Sequence, residues 1–272
     1  MLDKVTLFCF AASYAFALGL QLWYQWRPRP VLQLFSLIFG CAGVIAQTIY
    51  LVVQRPTIAA QYGWMLMLAW ILGIFYLYGS LHHRKLAWGI FVLPLVLGLV
   101  LIAKLFSPTV TQPQAPGWFS FQNPRFLSVA HVTLVLLAAV GICVAFLSSV
   151  MYLVQSYRLK AKSLPDKKRW KLPSLERLES MSRHAIGLAF PMLTVGIFLG
   201  MLLMFRSKEE IHDWTDPRVL STVALWIVLA IVMYLRYARH LGGRRVAFFT
   251  IAAFFMLLIT FVLSHSVSGG VG

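Results

Sequence analysis

Eight separate runs of about 20 predominantly apolar residues leave this chain few folds to choose from. They are Val5 to Trp26, Val31 to Val53, Gly63 to Leu81, Ala87 to Phe106, Ser128 to Tyr157, His184 to Phe205, Val219 to Tyr237 and Val246 to Ser264. A run of that length crosses a bilayer core of roughly 30 Å as a helix, and open sheets cannot, because hydrocarbon offers no water to unpaired backbone groups. Composition agrees: 60% of the 272 residues are hydrophobic and 12% charged, with a mean hydropathy of +0.79. That is too apolar for a chain that must present its surface to water. The expected fold class is an all-α integral membrane protein with eight transmembrane helices.

The net charge of +16 comes in short clusters between apolar runs, not along one face as a nucleic-acid groove requires, so no nucleic-acid partner is expected. Seventeen of the 24 Lys and Arg residues follow helices one, three, five and seven, and seven lie on the other side. By the positive-inside rule the seventeen are cytoplasmic and both termini lie outside, which suits an even helix count. The location expected is therefore the cell's cytoplasmic membrane, with lipid as surroundings. Ala15-Phe-Ala17 imitates a signal-peptide cleavage site, but the apolar run continues to Trp26 and the start is weakly basic, so a retained helix is expected. Cys9, Cys41 and Cys143 are scattered in apolar runs and read as packing residues. The chain divides into an N-terminal half, 1–125, and a C-terminal half, 126–272, of four helices each.

Two outer connectors have substance. Ser107 to Leu127 carries four prolines with Trp118, Phe119 and Phe121, and Arg206 to Arg218 reads RSKEEIHDWTDPR. Taken alone, Trp118 reads as a member of an interfacial aromatic belt. The long inner connector, Ser156 to Arg183, mixes basic residues with leucines, and Pro173 to Ser180 has the spacing of a short helix lying on the inner leaflet.

Depth singles out two of the seven histidines. The fifth helix runs inward and begins near Ser128, which puts His131 at its outer end. The eighth runs outward and ends near Ser264, which puts His265 at the same level. Two imidazoles on different helices can clamp a planar metal macrocycle from both faces, neutral imidazole being a good axial ligand for haem iron. Trp118, Phe119, Phe121 and Trp214 offer aromatic surface for such a ring, and Arg125, Arg206, Lys208 and Arg218 offer cations for its propionates. Equally, both histidines read as interfacial residues bonded to water or headgroups, and both readings stand at this point. His82, His83, His184 and His240 fall at inner helix ends beside basic residues, where snorkelling is ordinary, and His212 reads as a solvated loop residue. Phosphate-cradling Gly-rich loops, GxSxG and HExxH are missing from the sequence, so no catalytic residue is assigned. Gly196 and Gly200 form a GxxxG that is read as close helix packing.

The segment from His131 to Lys160, the segment LERLESMSRHAIGLAFPMLTVGIFLG from Leu175 to Gly200, the segment Trp214 to Trp226 and the terminal Leu263-Ser-His265 together resemble the cytochrome c assembly family of the CcsA and CcmC type. In that family an outward-facing histidine pair flanks a tryptophan-rich external segment and holds haem. The resemblance implies that His131 and His265 are axial ligands to a non-covalent haem b, with Trp214, Asp216, Trp118, Arg125 and Arg218 around it. Longer members read approximately WGxxWxWDPKE in that segment; here Trp214-Thr-Asp216-Pro217-Arg218 stands, followed by Thr222 and Trp226. Longer members also carry an inner histidine in a Tyr-Leu-His context, where this chain reads Tyr234-Leu235-Arg236. The short eight-helix outline is similar to the HemX and YpjD branch. What this implies is haem handling or delivery at the outer face in cytochrome c assembly, with other maturation proteins or an apocytochrome as partners, and no enzyme beyond an accessory role in haem ligation. Two alternatives are carried: a HemX-like regulator of haem biosynthesis acting through the basic inner loop, and a small-solute transporter without haem. Against the transporter, the spans hold almost no charge, Lys104 alone lying near an end.

Overall fold

The computed structural model describes residues 6–27, 29–54, 61–82, 88–105, 126–160, 172–206, 217–238 and 243–266. Among them are eight α-helices and no strand: α1 (Leu7–Trp26), α2 (Pro30–Gln54), α3 (Gln61–His82), α4 (Trp88–Leu105), α5 (Phe126–Lys160), α6 (Leu175–Arg206), α7 (Pro217–Tyr237) and α8 (Arg244–Ser266). Seven of these, α1 to α7, are long and apolar enough to cross a membrane. The eighth, α8, is 23 residues long. Large apolar side chains such as Phe8, Phe16, Leu34, Ile45, Phe198 and Phe248 stand exposed along the helices. Apolar exposure on this scale is costly in water and favourable in lipid, so this is a multi-pass membrane protein.

The helices form two compact units, one containing α1 to α4 and the other α5 to α8. In the first, α1 packs on α2 and α4, and α3 packs on α2 and α4, which closes a four-helix ring. Its interior holds polar groups that satisfy one another. Tyr14, fully buried, donates its hydroxyl to Gln47 Oε1 at 2.8 Å, and Gln47 Nε2 donates to the Leu66 carbonyl at 3.0 Å. Ser36 donates to the Ala17 carbonyl at 3.0 Å, and Gln21 Nε2 donates to the Tyr76 hydroxyl at 3.2 Å. Two glycines of α2 admit the tyrosines: a Cβ at Gly40 would lie 2.5 Å from Tyr76 Cε1, and one at Gly43 would lie 2.7 Å from Tyr14 Cε1. Lys104 sets its ammonium 3.7 Å from the centre of the Phe8 ring, which gives the charge a partner near a helix end.

In the second unit every adjacent pair runs antiparallel. Stepping down α5 from His131 to Val135, Gly141 and Ser149 meets, in turn, Gly200, Gly196, Ala189 and Ser182 stepping back along α6. Trp226 of α7 donates Nε1 to Thr194 of α6 at 3.0 Å, and Arg236 of α7 reaches Ser182. Phe146 of α5 stacks on Phe254 of α8 with ring centroids 4.0 Å apart. Consequently Arg158, Lys160, Arg177, Arg236, Arg244 and Arg245 all gather at one end of this unit, and the start of α5 lies at the other.

One expected element does not exist as such. The stretch Pro173 to Ser180 is not a separate surface helix; from Leu175 it is the first turns of α6, which is 32 residues long. Glu176 to His184 contains no helix breaker, Arg177 N–H bonds the Ser174 hydroxyl at 3.4 Å, and Leu178 is wholly buried, so packing continues the helix rather than laying it on lipid. His184 therefore lies well inside α6, not at its end, with Nδ1 2.8 Å from the Ser180 carbonyl.

The buried Tyr14–Gln47 pair yields a test. Gln47→Leu should lower stability by about 1 kcal/mol, and Tyr14→Phe/Gln47→Leu should cost clearly less than the two single changes added, because removing both partners leaves no orphaned group. Thermal unfolding of the four proteins in detergent measures this; strict additivity would show that the pair is not coupled.

Candidate functional site

His131 lies just over one turn into α5, half-buried, and α6 explains why it can sit there. A Cβ at Gly196 would come 2.8 Å from Val135 Cγ2, and one at Gly200 would come 2.9 Å from His131 Cε1. A larger residue at Gly200 would displace the imidazole, and one at Gly196 would press on the Val135 side chain. The two glycines thus open a seam through which the imidazole reaches the α6 backbone, and His131 Nδ1 sits 2.7 Å from the Gly196 carbonyl oxygen. A carbonyl can only accept, so Nδ1 carries the proton. In the neutral ring Nε2 then keeps its lone pair, the state in which a histidine ligates a metal. The GxxxG read as a packing motif does pack, and it also fixes the tautomer and direction of this histidine.

His265 falls in the last turn of α8, where the backbone alone is described. From the stacked Phe146–Phe254 pair, fifteen residues lead back along α5 to His131 and eleven lead forward along α8 to His265. At about 1.5 Å per residue the two backbones reach levels within about one helical turn of each other, at the same end of the unit. Trp118, Arg125, Trp214 and Asp216, with Phe119, Phe121, Lys208, His83, His212 and His240, lie outside the described residues, and Arg206 and Arg218 are described only as backbone at the end of α6 and the start of α7. Of the positions named from the sequence, the structure thus brings His131 and His265 to one end of one unit and gives side-chain geometry for His131. Trp226 stacks on Phe190 with centroids 5.7 Å apart and bonds Thr194, which makes it a tie between α6 and α7. His82 stacks on Tyr78 at 4.5 Å in the last turn of α3. No cluster of three or more metal-ligating side chains occurs among the described residues.

Arg236 is the residue the sequence misplaced. Counted as one of the inner-loop charges, it lies instead in the last turn of α7 with only 6% of its surface exposed. Its Nη2 donates to the Ser182 hydroxyl at 2.9 Å, and Ser182 in turn lies 3.4 Å from the Ser149 hydroxyl. Nothing in an Arg at the end of an apolar run distinguishes a side chain turned inward from one that snorkels. The signal was the serines of α5 and α6, which supply polar atoms opposite it.

The family model described as cytochrome C assembly protein matches residues 58–271, and so takes in α3 and α4 as well as the four helices of the second unit. Protein HemX of Bacillus subtilis (strain 168) is 30% identical over 179 residues, which cover 64% of this chain and 61% of that protein. The cytochrome c biogenesis protein CcsA of Synechococcus sp. (strain JA-2-3B'a(2-13)) is 25% identical over 303 residues, covering 86% of this chain and 84% of its own. That of Heterosigma akashiwo (strain NIES-293 / 8280G21-1) is 23% identical over 231 residues, covering 73% and 70%. No solved structure matches. The span of the family match, most of the chain, and the coverage of relatives of both the CcsA and HemX kinds lead to one conclusion: the chain belongs to the cytochrome c assembly protein family.

Proposed function

We propose that this protein takes part in cytochrome c biogenesis by holding a non-covalent haem b at the outer face of the membrane, with His131 and His265 as its two axial ligands. The observation that carries the reading is the hydrogen bond between His131 Nδ1 and the Gly196 carbonyl, which leaves Nε2 as a free lone pair aimed by a rigid backbone. It is supported by the matching level of His265 on α8 and by the CcsA relatives, named for cytochrome c biogenesis. When bound, haem supplies an iron that accepts an imidazole from each side. The chain's own part is to hold and orient: Gly196 sets the His131 tautomer, the close α5–α6 contact limits its ring rotation, and the ends of α7 and α8 bring Arg218 and His265 to the same end of the unit. Trp118, Arg125, Trp214 and Asp216 complete the proposed surroundings as aromatic and polar contacts. The role is binding and presentation to maturation proteins or an apocytochrome, with no bond chemistry assigned to a side chain. With the basic helix ends inside, both termini lie outside.

A second reading has its own support in the 30% identity to HemX: a regulator of haem biosynthesis that acts through the basic inner loop. The two predict different losses. The transporter reading has no comparable support: the buried polar groups described in the first unit, Tyr14 and Gln47 among them, bond to one another.

Purified protein should carry a bis-histidine haem spectrum that disappears in His131→Ala and His265→Ala and returns for either when imidazole is added. Protein that remains haem-free after reconstitution would end the proposal. In a background lacking Cys9, Cys41 and Cys143, His131→Cys/His265→Cys should be joined by a bismaleimide about 10 Å long, and His131→Cys/Phe248→Cys should not. Deletion of Lys167 to Lys171 should leave the haem spectrum intact under the first reading; loss of control over a haem-biosynthetic enzyme with haem still bound would favour the second.

A further inference from the structure

Arg236 turns inward with a charge and a set of donors that have to be met inside the protein, because a guanidinium keeps its proton in any surroundings. Its Nη2 donates to the Ser182 hydroxyl at 2.9 Å, while Nε and Nη1 are buried and have no hydrogen-bond partner among the described residues. Glu179 stands one turn before Ser182 on α6, and its charge acts on the guanidinium. Among the described residues its direct ion pair is with Arg183, at 3.8 Å, and not with Arg236. Yet Glu179 and Arg236 line one cavity, with about 10 Å³ of free space, together with Ser149, Tyr152, Ser182 and Gly243. Gly243, at φ +78°, leads into α8 and makes room for the tyrosine: a Cβ there would come 3.1 Å from the Tyr152 hydroxyl.

We propose that this cavity holds one ordered water, which bridges the Arg236 guanidinium to the Glu179 carboxylate and completes an ion pair between α7 and α6. A space of about 10 to 15 Å³ takes a single water where two to four polar groups surround it, and the cavities that stay dry are apolar. No oxyanion fits that volume, and the guanidinium repels a cation. The hydrogen bonds balance. Nε or Nη1 donates to the water oxygen; one water hydrogen goes to Glu179 and the other to the hydroxyl oxygen of Ser149 or Tyr152. A carboxylate has two oxygens and about four acceptor sites, so Glu179 serves Arg183 and the water together. A bond through water is nearly as good in enthalpy as a direct one, and the charge of Arg236 is offset without a change in helix spacing. Arg236, Glu179 and Ser149 thereby hold the basic ends of α7, α6 and α5 in one arrangement.

The test is NMR of the full chain in detergent, with nitrogen-15 placed in arginine. The Arg236 Nε–H, identified as the side-chain resonance lost in Arg236→Met or, where that variant does not fold, in Arg236→Lys, should show a cross-peak at the water frequency. It should also exchange with deuterium roughly tenfold or more slower than the Nε–H of the exposed Arg27, so that the cross-peak reports a resident water and not proton exchange. Slow exchange without a cross-peak would mean a dry cavity or a direct pair with Glu179, and exchange as fast as that of Arg27 would mean an open one; either overturns the proposal. A second measurement separates the two partners of the carboxylate. Glu179→Gln should lower the thermal midpoint by about 3 °C in the wild type and by under about 1 °C in Arg236→Met, or in Arg236→Lys by no more than it does in the wild type with the cross-peak weakened. An equal loss in wild type and Arg236→Met would show that Glu179 acts through Arg183 alone, which also overturns it.

Discussion

The second unit depends on how closely α5 and α6 approach. Between membrane helices the solvent is as apolar as the side chains, so association rests on van der Waals contact and on the few hydrogen bonds that close approach permits. Gly141 against Ala185 and Ala189, Gly196 against Val135, and Gly200 against His131 make that approach possible along four turns or more. One consequence is chemical. With the backbones this near, a side chain on α5 can use a carbonyl of α6, and the side chain placed there is His131. The spacing of α6 then sets α7, which is tied to it at Thr194 near mid-helix and at Ser182 toward the basic end.

The two units treat buried polarity differently. In the first, Tyr14, Gln47, Ser36, Tyr76 and Gln21 donate and accept among themselves, and each bond joins one helix to another. Such a network holds four helices in one arrangement, because a shift of any one strands a polar group in an apolar interior. In the second unit many hydroxyls bond their own helix, as Ser148 does to Val144 and Thr250 to Val246, and the inter-helix polar contacts are spread from His131–Gly196 through Trp226–Thr194 to Arg236–Ser182. Next to Ser149, Ser182 and Arg236, the cluster of Ala145, Ile186, Val232 and Val246 is apolar.

Much of this was legible from residue type alone. Runs of 20 apolar residues gave the helices and their order, because length and hydropathy decide whether a segment spans and no periodicity is needed. The start of α6 was not legible, since Leu175 to Ser182 mixes leucines with charges just as an interfacial helix would; only the burial of Leu178 and the absence of a breaker before His184 separate the two. The level of His131 was readable and its hydrogen bond was not, because the partner is a backbone carbonyl 65 residues away and carries no signature in the sequence. Gly196 and Gly200 recorded the closeness of the contact without saying which side chain would use it.

Arg236 shows why a charge count and a charge's environment answer different questions. The orientation inferred from the basic residues survives its removal from the loops, since sixteen against seven remains as one-sided as seventeen against seven. Topology is therefore indifferent to where this side chain points. Folding is not indifferent, because a guanidinium that could have snorkelled to the headgroups is instead held under Ser182, with two nitrogens unbonded among the described residues. A longer path to water was available from the last turn of α7, and the packed state does not take it. An inward cation at a helix end costs desolvation that a neighbouring Ser cannot return, and the opposite charge that acts on it is Glu179 of α6, which lines the same small cavity and offsets part of that cost.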